Sequence, residues 1–367
     1  MKDNFQDMLK KYNDGTASAE ERQRVEAWYL SLGKDRQPIR QEEITANFKT
    51  GQQEIRKLYP RHTRASLGKA SAAAAAVLLI IGIYFGVNRF QAHQEAVALQ
   101  DSITAGQEMA LLQMEGGQKI DLKQLELDSS LTGNGMVIKK LTQGRIQISQ
   151  FSDTPAKRTE NVIRTPKGGE FEVLMPDNSL IKLNAASEVH FYSDYNIVNR
   201  EVKLSGEAFF EIKKSGKPFV VHTTDQKVTV LGTQLNIKAY PDEAETTTKL
   251  LRGSVKVNSN NSAEEIVMKP GDLLLHKGSA MRLTAQENAK VDWVNKEIVF
   301  NEKSVEQIMN DIARWYNVEV YFENTALKNN TFSGTISRYT DFNKVLEVLE
   351  KTESLKFEVE GRKITIR

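Results

Sequence analysis

An uncharged run of eighteen residues, Ala70-Ser-Ala-Ala-Ala-Ala-Ala-Val-Leu-Leu-Ile-Ile-Gly-Ile-Tyr-Phe-Gly-Val87, constrains this chain more than any other feature. As a helix it would reach roughly 27 Å at about 1.5 Å per residue, near the lower limit for crossing a bilayer core. The sequence therefore predicts one transmembrane helix over 70–87. It lies some seventy residues in, beyond the usual position of a cleaved signal peptide. Arg56, Lys57, Arg61, Arg64 and Lys69 precede it, whereas only Arg89 follows before Glu95 and Asp101. Because basic residues stay on the cytoplasmic side, residues 1–69 are expected in the cytoplasm and the longer remainder is expected to be exported.

Residues 1–69 read as a small all-α segment. Phe5, Met8, Leu9 and Tyr12 form one helical stripe, broken by Asn13-Asp14-Gly15. Ser18 and Glu21 have the spacing of a capping box, in which each side chain satisfies the other's backbone amide. The helix that follows carries Val25, Trp28, Tyr29 and Leu32 on one face. With a third helix through Ile44, Phe48, Ile55, Leu58 and Tyr59, three short helices bury little surface, so Val25, Trp28 and Tyr29 are candidates both for the core and for docking a partner helix.

Beyond a juxtamembrane connector at 88–107, residues 108–292 alternate apolar and polar side chains in short runs. Examples are Phe171-Glu-Val-Leu-Met175, Leu180-Ile-Lys-Leu183, Val202-Lys-Leu204, Phe209-Phe-Glu-Ile212 and Val228-Thr-Val-Leu231. Turn residues separate them, as at Pro176-Asp177-Asn178 and Pro270-Gly271-Asp272. Strands this closely spaced, with no helical pattern between them, predict an all-β domain, solenoid-like or sandwich. Residues 293–367 differ. Strand and helix patterns there follow the order β-α-β-β-α-β-β, with helical faces at Val305, Ile308, Ile312 and Trp315 and at Phe342, Val345, Leu346 and Leu349. Trp293 and Trp315 are expected to pack the join between these two domains.

Enzyme equipment is sparse. There is no cysteine, and no two of the five histidines lie within five residues of each other, so thiol chemistry and HExxH-type zinc sites are excluded. Fifty basic against 48 acidic residues leave a net charge of +2, which argues against direct nucleic-acid binding through a broad basic face. Asp177, Glu207 and Glu211 lack the sugar platform of a glycosidase pair. No catalytic residue, metal or cofactor is implied.

The blocks Arg164-Thr-Pro-Lys-Gly-Gly-Glu170, Leu183-Asn-Ala-Ala-Ser187, Val202-Lys-Leu-Ser-Gly-Glu-Ala-Phe-Phe-Glu211 and Val230-Leu-Gly-Thr233 resemble the FecR family of single-span sigma-factor regulators. The Tyr12-to-Trp28 stretch is similar to that family's anti-sigma segment. Residues 293–367 resemble the secretin/TonB-type signalling domain appended to one branch of it. The resemblance implies an inner-membrane anti-sigma factor, N-terminus cytoplasmic and C-terminus periplasmic. Its implied partners are an extracytoplasmic-function sigma factor and the N-terminal signalling domain of a TonB-dependent transporter, carrying an iron chelate or an oligosaccharide. Some members cut themselves at a Gly-Thr bond, which makes Gly232-Thr233 a candidate self-cleavage pair; a plain turn accounts for the same two residues. Two other readings stay open: a periplasmic envelope-assembly or binding module, and a self-cleaving or glycan-acting envelope protein.

Overall fold

The computed structural model describes residues 103–133, 135–150, 158–285, 290–351 and 355–367, together with Lys11, Ser18, residues 20–22, Arg24 and Val25. The chain divides into two compact units, residues 1–89 and 90–367. In the first, the capping box forms: the Glu21 amide donates to Ser18 Oγ at 3.3 Å and the Ser18 amide to Glu21 Oε2 at 2.8 Å. The bond from the Ser18 amide is the first cause holding the Glu21 carboxyl below its usual range. Val25 is buried in the helix that follows.

These residues correct the expected fold class. Between 103 and 367 they form 24 strands, two α-helices and one 3-10 helix. No helix among the described residues is long and apolar enough to cross a membrane. The described architecture is a curled β-sheet domain with an α+β unit, not an all-α domain followed by a membrane helix. The expectation leaned on 70–87, where six of eighteen residues are alanine, each with a single methyl of apolar surface. That run lies outside the described residues, as do Trp28 and Tyr29.

In the β domain, hairpins alternate between two sheets. One sheet runs in spatial order Lys119–Asp121, Leu111–Gln113, Glu160–Thr165, Ser187–Tyr192, Arg200–Glu211, Phe219–His222, Gln226–Val230, Val255–Ser259 and Glu265–Met268. The other runs Ser130–Gly133, Met136–Thr142, Arg145–Gln150, Gly169–Leu174, Leu180–Leu183, Arg200–Glu211, Gln234–Ala239, Thr246–Arg252, Asp272–Lys277 and Ala280–Ala285. One cluster fills the space between them, with Leu112, Ile163, Val189 and Val228 from the first and Ile138, Val173, Ile181 and Leu235 from the second. Each such fully buried side chain contributes roughly 1.5–3 kcal/mol.

Strand Arg200–Glu211 belongs to both sheets. Val202 and Leu204 pair with Phe191 and Val189 of one, while Ala208 and Phe210 pair with Ile237 and Leu235 of the other. The sequence reading gives Val202–Leu204 and Phe209–Ile212 as separate strands. The chain instead stays continuous, because Gly206 takes φ +99° and passes so close to Ser187 that a side chain there would lie 2.5 Å from its Oγ. Gly253 carries the chain from the second sheet back to the first.

The C-terminal unit pairs Glu297–Ser304 with Thr331–Ser337, and builds a second small sheet from Glu319–Phe322, Lys363–Ile366 and Phe357–Glu360. Ser304 caps the helix Val305–Tyr316 in a capping box with Gln307, and Asn317 ends it in the left-handed conformation. Val305, Ile308, Ile312 and Trp315 are buried along that helix, and Phe342, Val345, Leu346 and Leu349 along the helix Phe342–Glu350.

Candidate functional site

The two domains of the second unit meet at a closed ring of polar side chains. Arg338, just beyond strand Thr331–Ser337, donates through Nη2 to Asn184 Oδ1. Asn184 Nδ2 donates to Glu207 Oε2 at 2.7 Å, and Asn236 Nδ2 to Glu207 Oε1 at 2.8 Å. Trp293 Nε1 donates to Asn236 Oδ1 at 3.0 Å, and the Trp293 ring faces the Arg338 guanidinium at 5.5 Å, closing the circle. The other indole, Trp315, stacks on Arg338 at 3.6 Å and donates to the Arg338 carbonyl at 2.6 Å. Glu207 is buried, so both its oxygens need donors, and two asparagines supply them. Arg338 is 3% exposed, and burial pushes its guanidinium below the usual range against the pull of Glu170 and Glu207.

A second cluster lies beside the ring. Arg314, in the last turn of the helix Val305–Tyr316, pairs with Glu243 at 2.6 Å and Asp242 at 2.9 Å and stacks on Tyr240 at 3.7 Å. Lys238 bridges Glu243 at 2.9 Å and Asp311 at 3.0 Å. Burial opposes the charge on Asp311, but Lys238 and then Lys303 outweigh it and hold the carboxyl far below its usual range. The Tyr240 hydroxyl donates to the Ala185 carbonyl at 2.7 Å, and Ala185 itself packs in the C-terminal core. Tyr339 donates to Glu170 at 3.2 Å.

This arrangement fastens one domain to the other. Its carboxylates are held by cations or amides, and each indole N–H is taken up by an oxygen of the joint. It is no nucleophile-and-base constellation. Part of its β-domain half comes from the sequence blocks, with Gly168 and Glu170 from one, Asn184, Ala185 and Ser187 from the next, and Gly206 and Glu207 from the third; Asn236, Lys238, Tyr240, Asp242 and Glu243 lie outside them. Trp293 and Trp315 stand at the join, as the sequence predicts.

Gly232 and Thr233 sit elsewhere, where the chain crosses from one sheet to the other. The Thr233 hydroxyl donates to the Ser254 carbonyl at 3.1 Å, and its backbone bonds Ile212 on both sides. Gly253 lies over the pair: a side chain there would stand 2.8 Å from the Gly232 carbonyl oxygen and 2.9 Å from Thr233 Oγ1. Gly232 in turn rests on the backbone of Lys214. Asp177, Glu207 and Glu211 go to different partners. Asp177 pairs with the fully buried Arg200 at 2.9 Å, and Glu211 with Lys213 at 3.6 Å. Among the described residues no three histidine, aspartate or glutamate side chains converge as a metal site.

Lys238, Asp311, Arg314 and Arg338 went unsingled by the sequence reading. Arg314 left one signal, an arginine inside the apolar stripe of a helix and next to Trp315, which demands a buried counter-charge.

The model for FecR protein matches residues 161–256, and the model for the FecR C-terminal domain matches residues 297–366. Two crystal structures of a candidate anti-sigma factor from Parabacteroides distasonis share this fold, each with a TM-score of 0.52. They are 23% and 24% identical to this chain, covering 56% and 57% of it and 98% of their own length. No curated protein shows a significant match.

Proposed function

Because the chain belongs to the FecR family, with its β domain and C-terminal domain each matched by that family's models, we propose that it is an anti-sigma factor that relays an envelope signal to a sigma factor. The family is a regulatory kind of protein rather than an enzymatic one. The observation that carries the reading is the ordered pair of family domains joined through the family's own sequence blocks. In this reading the protein works at the inner membrane, with residues 1–69 in the cytoplasm holding an extracytoplasmic-function sigma factor. The β and C-terminal domains lie in the periplasm, as the basic residues before position 70 imply.

The C-terminal domain would receive the signalling domain of a TonB-dependent transporter. Strands Glu319–Phe322 and Phe357–Glu360 are the two edges of its three-stranded sheet, and an edge strand can accept another strand. Val25, Trp28 and Tyr29 remain the proposed sigma-factor contact. The test is capture of the full chain from cell extract. A small sigma factor should accompany it, and Trp28→Ala should lose that partner. A folded full chain that brings down no sigma factor would overturn the reading.

A second reading, self-cleavage, is favoured by the packing of Gly253 against both groups that would react. The Thr233 hydroxyl would attack the Gly232 carbonyl carbon, the peptide nitrogen would leave as the new amine, and water would open the resulting ester. The bond from the hydroxyl to Ser254 opposes it, since that proton already has an acceptor. Intact mass separates the two: one full-length species excludes cleavage, and two fragments meeting at 232/233 establish it.

A further inference from the structure

The chain enters the β domain underneath the C-terminal domain. Ile103 and Ala105 pack against the C-terminal core, and a methyl added at Gly106 would overlap the indole of Trp315. The next residues form only a two-residue strand, Gln107–Glu108, parallel to Gly169–Leu174. Its backbone bonds include the Gln107 amide to the Gly168 carbonyl at 2.8 Å and the Met109 amide to the Glu170 carbonyl at 3.1 Å. A pairing this short does not hold by itself. Gly168 supplies the rest: its amide donates to the Arg314 carbonyl at 2.7 Å, so one residue bonds the entering segment on one side and the helix end on the other. Beyond Ala110 the chain is held by the first sheet, where Leu112 pairs with Ile163.

We propose that residues 103–109 are a strap clamped by the C-terminal domain, so that lifting the helix Val305–Tyr316 away from the β domain releases the strap. This deepens the functional reading and rests on it: the strap is the stretch of described chain nearest in sequence to the N-terminal part. A displacement at the C-terminal domain reaches it through Trp315 and Gly168, without crossing the length of the two sheets. Arg314 and Arg338 set the clamp's default state: Arg314 fixes the helix against Glu243 and Asp242, and Arg338, stacked on Trp315, ties that end of the helix to Asn184.

Amide hydrogen exchange of the full chain tests the clamp, read at residues 107 and 109, over the helix Val305–Tyr316 and over 272–285 as a remote reference. Gly106→Ala wedges the strap off the indole from its own side. It should speed exchange at 107 and 109 by about tenfold or more and leave the reference unchanged. Arg338→Ala should speed exchange both in the helix and at 107 and 109, again with the reference unchanged. Wild-type protection at 107 and 109 in the Gly106→Ala protein would overturn the proposal. So would an Arg338→Ala protein whose helix opens while those two amides stay protected. The exchange pattern is independent of sigma-factor capture, so the functional reading can fail while the clamp stands.

Discussion

Arg338 donates to the side-chain oxygen of Asn184 across 154 positions of sequence, and that bond joins the C-terminal domain to the β domain. Its guanidinium lies between two indoles, so it carries packing as well as charge. Arg338→Ala takes the cation out of a buried ring and leaves the Glu207 network without it. The joint should lose about 1–3 kcal/mol, the cost of leaving buried hydrogen-bonding groups without their partner. Calorimetry of the variant should resolve a separate, earlier C-terminal transition.

Glu207→Gln keeps the shape of the ring and removes one of its bonds. The new amide nitrogen must face one of the two asparagine nitrogens that now donate to the carboxylate. One donor is left unpaired in a buried place, a cost of about 1–3 kcal/mol. A urea titration followed by tryptophan fluorescence should show the midpoint fall with little change in slope.

The joint should also have an acid limit set by Asp311. Its carboxyl is held far below the usual range, so the unfolded chain takes up the proton first as pH falls. The stabilisation is complete above the unfolded aspartate value of about 4 and is lost progressively as pH drops from there towards the depressed value. Lys238→Met removes the strongest attraction and should raise the midpoint of acid unfolding by roughly one pH unit. Fluorescence of Trp293 and Trp315 against pH measures the difference.

Gly253→Ala probes the crossover at Gly232-Thr233. The methyl would need space now taken by the Gly232 oxygen and Thr233 Oγ1, at a residue whose φ is +96°. Steric and backbone strain together should destabilise the domain by about 1–3 kcal/mol. If the wild-type chain cleaves itself, Thr233→Ala should give a single full-length mass; Thr233→Ser should retain the fragments.

The β domain was legible where local chemistry decides. Phe171, Val173 and Met175 recur at every second position and are all buried, and Ser304 with Gln307 opens its helix where the capping pattern lies. Strand Arg200–Glu211 was read as two shorter strands because what carries it on through Gly206, a close pass over Ser187, is a contact between distant residues. The joint was visible only in part. Its indoles announced themselves as large apolar groups, but the pairing of Arg338 with Asn184, or of Lys238 with Asp311, has no local periodicity to betray it. The run 70–87 shows the opposite difficulty: its lack of charge is plain, and it lies outside the described residues.

Strand Arg200–Glu211 has a mechanical consequence. A tie that is continuous through both sheets prevents one from shearing past the other without breaking its own backbone ladder on one side. Glu207, the hub of the joint, sits on this tie one residue past its bend. A load drawn through Asn184 and Arg338 therefore enters both sheets at once, and the β domain answers as a stiff beam rather than as two sliding plates.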